Sequence, residues 1–223
     1  MGQFFYLWIY QSLDKKKYLI LLLSIFFLLS CHKLNSKNKT IAIQPYGDVK
    51  QSLLDTLQQT IEIVYNFETV IVLNKKKIPK TAFINVKSPR YRADSIINIL
   101  KREKPDSIDY LIGITTKDIS TTKRNNSGKI LKPEYKYLDW GIFGLGYRPG
   151  PSCIVSTYRI KSVNKTKYSE RLKKICMHEI GHNLGLPHCV FEERCVMRDA
   201  AETIKTVDNV DLTLCSNCKS LLE

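Results

Sequence analysis

The chain has 223 residues, 43% of them hydrophobic and 25% charged, with a formal net charge of +14 from 35 Lys and Arg against 21 Asp and Glu. That composition excludes a disordered or fibrous chain and leaves room for one domain around a single core. The positive balance suits nucleic acid, an anionic membrane surface or an acidic substrate, but the basic residues are scattered, as at Lys75 to Lys77 and Lys123-Arg124. No aromatic-rich basic stretch that would stack nucleobases is visible, so no nucleic-acid partner is expected.

Lys15, Lys16 and Lys17 precede an apolar run from Tyr18 to Leu29. A bilayer crossing needs about 20 apolar residues, so this run reads as the charged and hydrophobic regions of an export signal. Leu28-Leu29-Ser30-Cys31 resembles a bacterial lipoprotein box. That resemblance implies that Cys31 is lipidated and anchors the protein to a membrane of the bacterial cell envelope, on its periplasmic or surface-facing side. A plain signal or an uncleaved anchor helix is the alternative. Residues 32–39 then form a polar tether, and residues 40–223 the functional domain.

Thr40 to Pro45 reads as a first strand, closed by Pro45 and Gly47. A helix follows from about Asp48, a plausible N-cap, to Tyr65, with Leu53, Leu54, Leu57, Ile61 and Val64 on one face. Glu68 to Leu73 is a second strand and Lys75 to Pro89 a loop. Ala93, Ile96, Ile97 and Leu100 mark a second helix, and Asp109 to Ile114 a buried strand. This order predicts an α/β (α+β) fold around a mixed sheet. Lys117 to Tyr137 reads as an exposed loop, Trp140 to Tyr147 as a hairpin or irregular edge strand, and Cys153 to Ile160 as a strand. Ser169 is a candidate N-cap for a helix running to about Leu184.

Three of the four histidines fall in the eleven residues His178-Glu179-Ile180-Gly181-His182-Asn183-Leu184-Gly185-Leu186-Pro187-His188. Residues four apart share a helix face, so His178 and His182 can aim two imidazoles at one point. A tetrahedral zinc needs its third ligand from another direction, and residue i+10 of a straight helix would lie about 15 Å further along the axis. The helix must therefore end after Leu184; Gly185 suits the sharp turn and Pro187 stiffens the approach of His188. Three protein ligands leave the fourth position to water, the mark of a catalytic zinc. Glu179 is offset by about 100° around the helix, so its carboxylate can reach that water as general base without ligating the metal. A structural zinc site would have no need of it.

Cys189, Cys195, Cys215 and Cys218 follow, the last two as C-x-x-C. Their spacing suits a thiolate zinc that clamps the C-terminal segment; two disulfides are the alternative in an exported protein. Cys153 and Cys176 read as small buried side chains.

The histidine motif joined to Cys189, then Cys195-Val196-Met197, seventeen residues and Cys215-Ser216-Asn217-Cys218 resembles the archaemetzincin family of metzincin-like zinc metallopeptidases. The chain departs from the family in having five residues, not four, between Cys189 and Cys195. Weaker similarity covers most of residues 40–220, including Ile41 to Pro45 and an edge strand within Trp140 to Ile160. The resemblance implies a zincin-type fold, a methionine turn at Met197, and two zinc ions: a catalytic one on His178, His182 and His188, and a structural one on the four cysteines. It also implies hydrolysis of peptide bonds by a protein expected to act as a monomer. If the metzincin mode of substrate alignment carries over, residues near Cys153 to Thr157 line the cleft. The rival readings are a zinc-dependent envelope protein that binds peptide without cleaving it, and a basic adhesion module for acidic envelope polymers.

Overall fold

The computed structural model describes residues 39–67, 69–199 and 203–222. Cys31, the export signal and residues 32–38 of the tether lie outside the described residues. Among the described residues no helix is long and apolar enough to cross a membrane.

The expected strand–helix–strand order is present. Strand β1 (Thr40–Tyr46) leads to helix α1 (Gln51–Tyr65) and strand β2 (Thr69–Val72). Helix α2 (Ala93–Glu103) precedes β5 (Tyr110–Thr115), and β8 (Gly144–Gly146) and β9 (Ser152–Ser156) precede the long helix α4 (Lys165–Asn183). The five strands form one sheet in the order β2-β1-β5-β9-β8. All neighbours run parallel except β8, which lies antiparallel to β9 at the edge.

The two-residue alternation of strands sorts the core into two layers. Ile41, Ile43, Ile112, Ile114, Cys153 and Val155 face Leu54, Leu57 and Ile61 of α1 and Leu172, Ile175, Cys176 and Ile180 of α4. On the opposite face Ala42, Tyr46, Leu111 and Ile154 meet Ala93, Ile96, Ile97 and Leu100 of α2. Helices thus cover both faces, the arrangement parallel strands require because neither face can be left to water.

The two stretches read as loops, with Arg90 to Arg92 and the start of Trp140 to Tyr147, hold a second sheet. Strands β3 (Phe83–Asn85), β4 (Pro89–Arg92), β6 (Ile119–Thr121) and β7 (Trp140–Ile142) form it in the order β3-β4-β6-β7, with the short helix α3 (Glu134–Tyr137) between its last two strands. Its strands are three or four residues long, too short to show a periodicity. Arg159 donates to both oxygens of buried Asp118 at 2.7 and 2.8 Å, and Arg90 stands 3.2 Å from Asp118 and 3.4 Å from Asp139. These ion pairs fasten the sheet together with Tyr91, Ile119 and Ile142, which pack against the α2 layer of the core.

Two helix starts differ from expectation. Helix α1 begins after Lys50, and Asp48 instead pairs with Lys75 at 2.9 Å. Helix α4 begins four residues before Ser169: the Asn164 side chain accepts from Lys167 N at 3.0 Å, a capping geometry open to any short polar side chain. After α4 come helices α5 (Ile204–Asn209) and α6 (Ser216–Ser220).

Arg171 of α4 grips Asp208 of α5 through two bonds of 2.6 and 2.7 Å, with Lys167 at 3.0 Å. The Arg171 bonds, and then Lys167, hold the Asp208 carboxyl down at about 2 against the penalty of burial. A depressed folded-state value stabilises the fold above the unfolded carboxyl value of about 4 and is lost as pH falls toward 2. Asp208→Asn should lower the melting temperature at pH 7, an effect of about 1 kcal/mol, and flatten the pH dependence of stability between about pH 4 and 2. Parallel melts of parent and variant across that range check it.

Candidate metal centre and cleft

The C-terminal half of α4 carries His178, Glu179 and His182. The helix stops where the spacing required: Leu184 N bonds Ile180 O, Gly185 adopts φ +102, and Leu186 N returns to Gly181 O at 2.9 Å. That conformation is costly for a side-chain-bearing residue and free for glycine. The chain then reverses and brings His188 to the other two rings, with ring centroids 4.6, 4.9 and 5.3 Å apart. One ligand atom from each histidine lies within 4.8 Å of those of the others.

The orientation of the rings is fixed from behind. His178 Nδ1 stands 2.9 Å from Val196 O, and His182 Nδ1 stands 2.8 Å from Leu186 O. A carbonyl can only accept, so each Nδ1 carries the proton and each Nε2 keeps a bare lone pair. Burial pushes His178 down to about 3 and lowers His182 as well, the nearby positive charge of Arg148 adding to the latter. Both rings are therefore neutral at pH 7, the state a metal ligand needs. Asp199 Oδ2 stands 3.6 Å from His188 Nδ1. A borderline-soft cation such as zinc fits this set of three nitrogens.

Glu179 is 7% exposed and has no basic partner among the causes of its shift; burial alone lifts its carboxyl to about 8. A divalent cation held at the three rings would pull that value back toward the carboxylate. Tyr65 of α1 donates to Met177 O at 2.6 Å, tying the middle of α4 to its neighbour.

The four candidate cysteines also converge. Cys189 and Cys215 sulfurs are 3.7 Å apart and Cys195 and Cys218 sulfurs 3.8 Å, all four lying within 4.8 Å of one another. The cysteines are free. A disulfide needs about 2.05 Å between sulfurs, whereas thiolates at about 2.3 Å from one tetrahedral zinc stand about 3.8 Å apart. Cys215 N donates to the Cys195 sulfur at 3.4 Å. Burial raises the Cys195 and Cys218 thiols; at Cys189, burial is outweighed by backbone N–H groups of Glu192 and Phe191, which hold it below its usual value. The extra residue between Cys189 and Cys195 is absorbed in an exposed loop at Val190 and Phe191.

Met197 is fully buried and packs against Gly181 of α4. Its carbonyl accepts from Cys189 N at 2.8 Å, and Val196 N donates to Thr213 O at 2.9 Å. The methionine segment thus links the histidine trio to the cysteine cluster.

A cavity of about 380 Å³ opens beside the histidines. Its wall is β8 and the residues next to it, Ile142 to Gly146, not Cys153 to Thr157. Cys153 and Val155 belong to the inner strand β9 and are wholly buried in the core. The sequence reading missed Val196, Leu186 and Asp199 as partners of the rings. Two of these act through backbone carbonyls, which leave no trace in side-chain identity.

The sequence profile of peptidase family M54 matches residues 37–223. The archaemetzincin of Halobacterium salinarum is 31% identical over 188 residues, covering 80% of this chain and 96% of that protein. The archaemetzincin of Archaeoglobus fulgidus is 28% identical over 180 residues, covering 81% and 96%. A crystal structure of the latter complexed with malonate superposes with a TM-score of 0.63 at 27% identity, covering 81% of this chain and 98% of that one. The archaemetzincin of Methanopyrus kandleri, at 22% identity and a TM-score of 0.68, shares the fold. These relatives are archaeal and lend no support to a bacterial source. The profile match and the shared fold agree with the convergence of the three histidines around a buried glutamate: the chain belongs to peptidase family M54, the archaemetzincins, and is a zinc-dependent metallopeptidase.

Proposed function

We propose that His178, His182 and His188 hold the catalytic zinc and that Glu179 is the general base for peptide-bond hydrolysis. The observation that carries this reading is the pair of carbonyl-bound Nδ1 atoms, which leave two Nε2 lone pairs aimed at the space His188 also reaches. Zinc bound there would polarise the scissile carbonyl and acidify water. Glu179 takes a proton from the attacking water and passes it to the leaving amine. Its burial favours holding that proton between the two steps.

Strand β8 supports substrate alignment. Ser156 N donates to Phe143 O, and Tyr147 N to Ser152 O, so Phe143 and Tyr147 bond to β9. In an antiparallel ladder the alternate residues turn outward, here Gly144 and Gly146 at the free edge. An extended peptide can pair with them as an added strand. Gly144 also makes room for the base: a Cβ there would fall 2.6 Å from Glu179 Oε1.

The second zinc belongs, on this reading, to Cys189, Cys195, Cys215 and Cys218, with Met197 as the methionine turn. All seven ligands come from one chain, so the scheme needs no second copy. Lipid anchoring through Cys31 to a bacterial envelope rests on residues Lys15 to Cys31 alone. Cys31→Ala should move the protein from the membrane fraction of an expressing bacterium to the soluble fraction; equal partition of parent and variant would remove the anchor.

Purified protein should hold two zinc ions per chain by elemental analysis, and Cys218→Ser should lose one of them. Glu179→Gln should keep both while kcat/KM on a mixed peptide library falls at least about 10²-fold. Undiminished cleavage by the variant would remove Glu179 from the role of base, and cleavage by neither protein would leave the peptide-binding reading in its place. Gly144→Ala should keep the fold and both metals but lower kcat by about 10–100-fold, because a displacement of about 1 Å at a reacting group has that effect. A full kinetic comparison against the parent checks it.

A further inference from the structure

The chemistry above uses one wall and the floor of the cleft and leaves its charged residues unemployed. Four cations from four separate segments line it: Lys123 after β6, Arg148 after β8, Lys174 on α4 and Arg198 after Met197. Against them stand two carboxylates among the described lining residues, Glu179 and Asp199. Glu179 is buried and committed to proton transfer, and Asp199 lies beside His188. Much of the remaining lining is apolar, including Ile142, Phe143 and Val196.

Three of the four, Lys123, Lys174 and Arg198, are half-buried and held by neighbours, whereas Arg148 is exposed. Lys174 stands one turn before His178 on the same helix face, and its Nζ donates to Val207 O at 3.2 Å and Asp208 O at 3.3 Å. An ammonium has three protons, so one donor remains. Arg198 Nη1 donates to Cys189 O at 3.2 Å, which uses one of five guanidinium donors. The Lys123 ammonium sits 4.5 Å above the Trp140 ring. A cleft with apolar walls and an excess of one sign of charge concentrates its field on whatever enters. The chain's net charge of +14 adds to that field at long range.

We propose that this cleft selects peptides bearing acidic side chains near the scissile bond. The inference rests on the peptidase reading and adds the substrate class. Each cation also repels Lys or Arg in a substrate, so discrimination has an attractive and a repulsive part.

Three fluorescence-quenched peptides test it. They share an apolar scissile pair and differ in flanking residues: Glu, Gln or Lys. With the full zinc-loaded chain at about 20 mM salt, kcat/KM should rank Glu over Gln over Lys, with at least about 10-fold between the extremes. The ratio should shrink toward one at about 500 mM salt, where surface charges are screened beyond a few ångströms. Arg148→Glu should lower the Glu-to-Lys ratio several-fold. The same ranking should appear in equilibrium binding of the three peptides to Glu179→Gln, followed by fluorescence anisotropy. Equal use of all three by the parent, or a preference for Lys, overturns the proposal. Should the parent cleave none of them, the hydrolysis reading fails separately. The anisotropy ranking then decides the charge preference alone: tightest binding of the Glu peptide supports it, and any other order overturns it.

Discussion

The structure depends on two hydrogen bonds from imidazole to backbone, His178 to Val196 and His182 to Leu186. Each does three things at once. It selects the tautomer that leaves Nε2 free, it sets the plane of the ring, and it ties α4 to chain that follows the helix. A histidine pair on a helix surface has none of these constraints and would rotate with solvent. The bonds in turn need carbonyls in two places, and most of the C-terminal architecture serves to put them there.

Leu186 is delivered by the break at Gly185, where the chain leaves the helix and folds back on its last turn. Val196 is delivered by a longer route. Its own N–H bonds Thr213, its neighbour Cys195 lies in the thiol cluster, and Met197 is pinned between Cys189 and α4. The cysteines therefore do more than fasten a tail. They enclose the segment whose carbonyl orients the first histidine, so the two clusters form one construction. The short helices α5 and α6 offer few apolar residues, and Val207, Leu214 and Cys218 join this segment to the core.

The site was more legible in the sequence than the fold around it. His178, Glu179, His182, Gly185 and His188 carry their geometry in their spacing, because helix periodicity leaves few ways to bring such residues together. The parallel strands were legible for a related reason: Ile41 to Pro45 and Leu111 to Ile114 are buried on both faces and read as continuous apolar runs. The second sheet was not. Its strands are too short to show a period, and the Arg90, Asp118, Asp139 and Arg159 ion pairs beside them read as loop chemistry. Pairing partners were equally hidden. Trp140 to Tyr147 divides between two sheets, β7 to one and β8 to the other, and no local pattern states that division. The cleft wall was misassigned to β9 because the metzincin edge strand was matched to Cys153 to Thr157, whose sequence marks a strand without saying whether it lies at the edge.

The most direct test of the central claim is a crystal structure of the zinc-loaded protein with anomalous data collected at the zinc edge. The account expects one peak bonded to Nε2 of His178, His182 and His188, with no fourth protein ligand and with both Nδ1 atoms still on their carbonyls. Ligation through Nδ1, or a protein side chain completing the coordination, would contradict it.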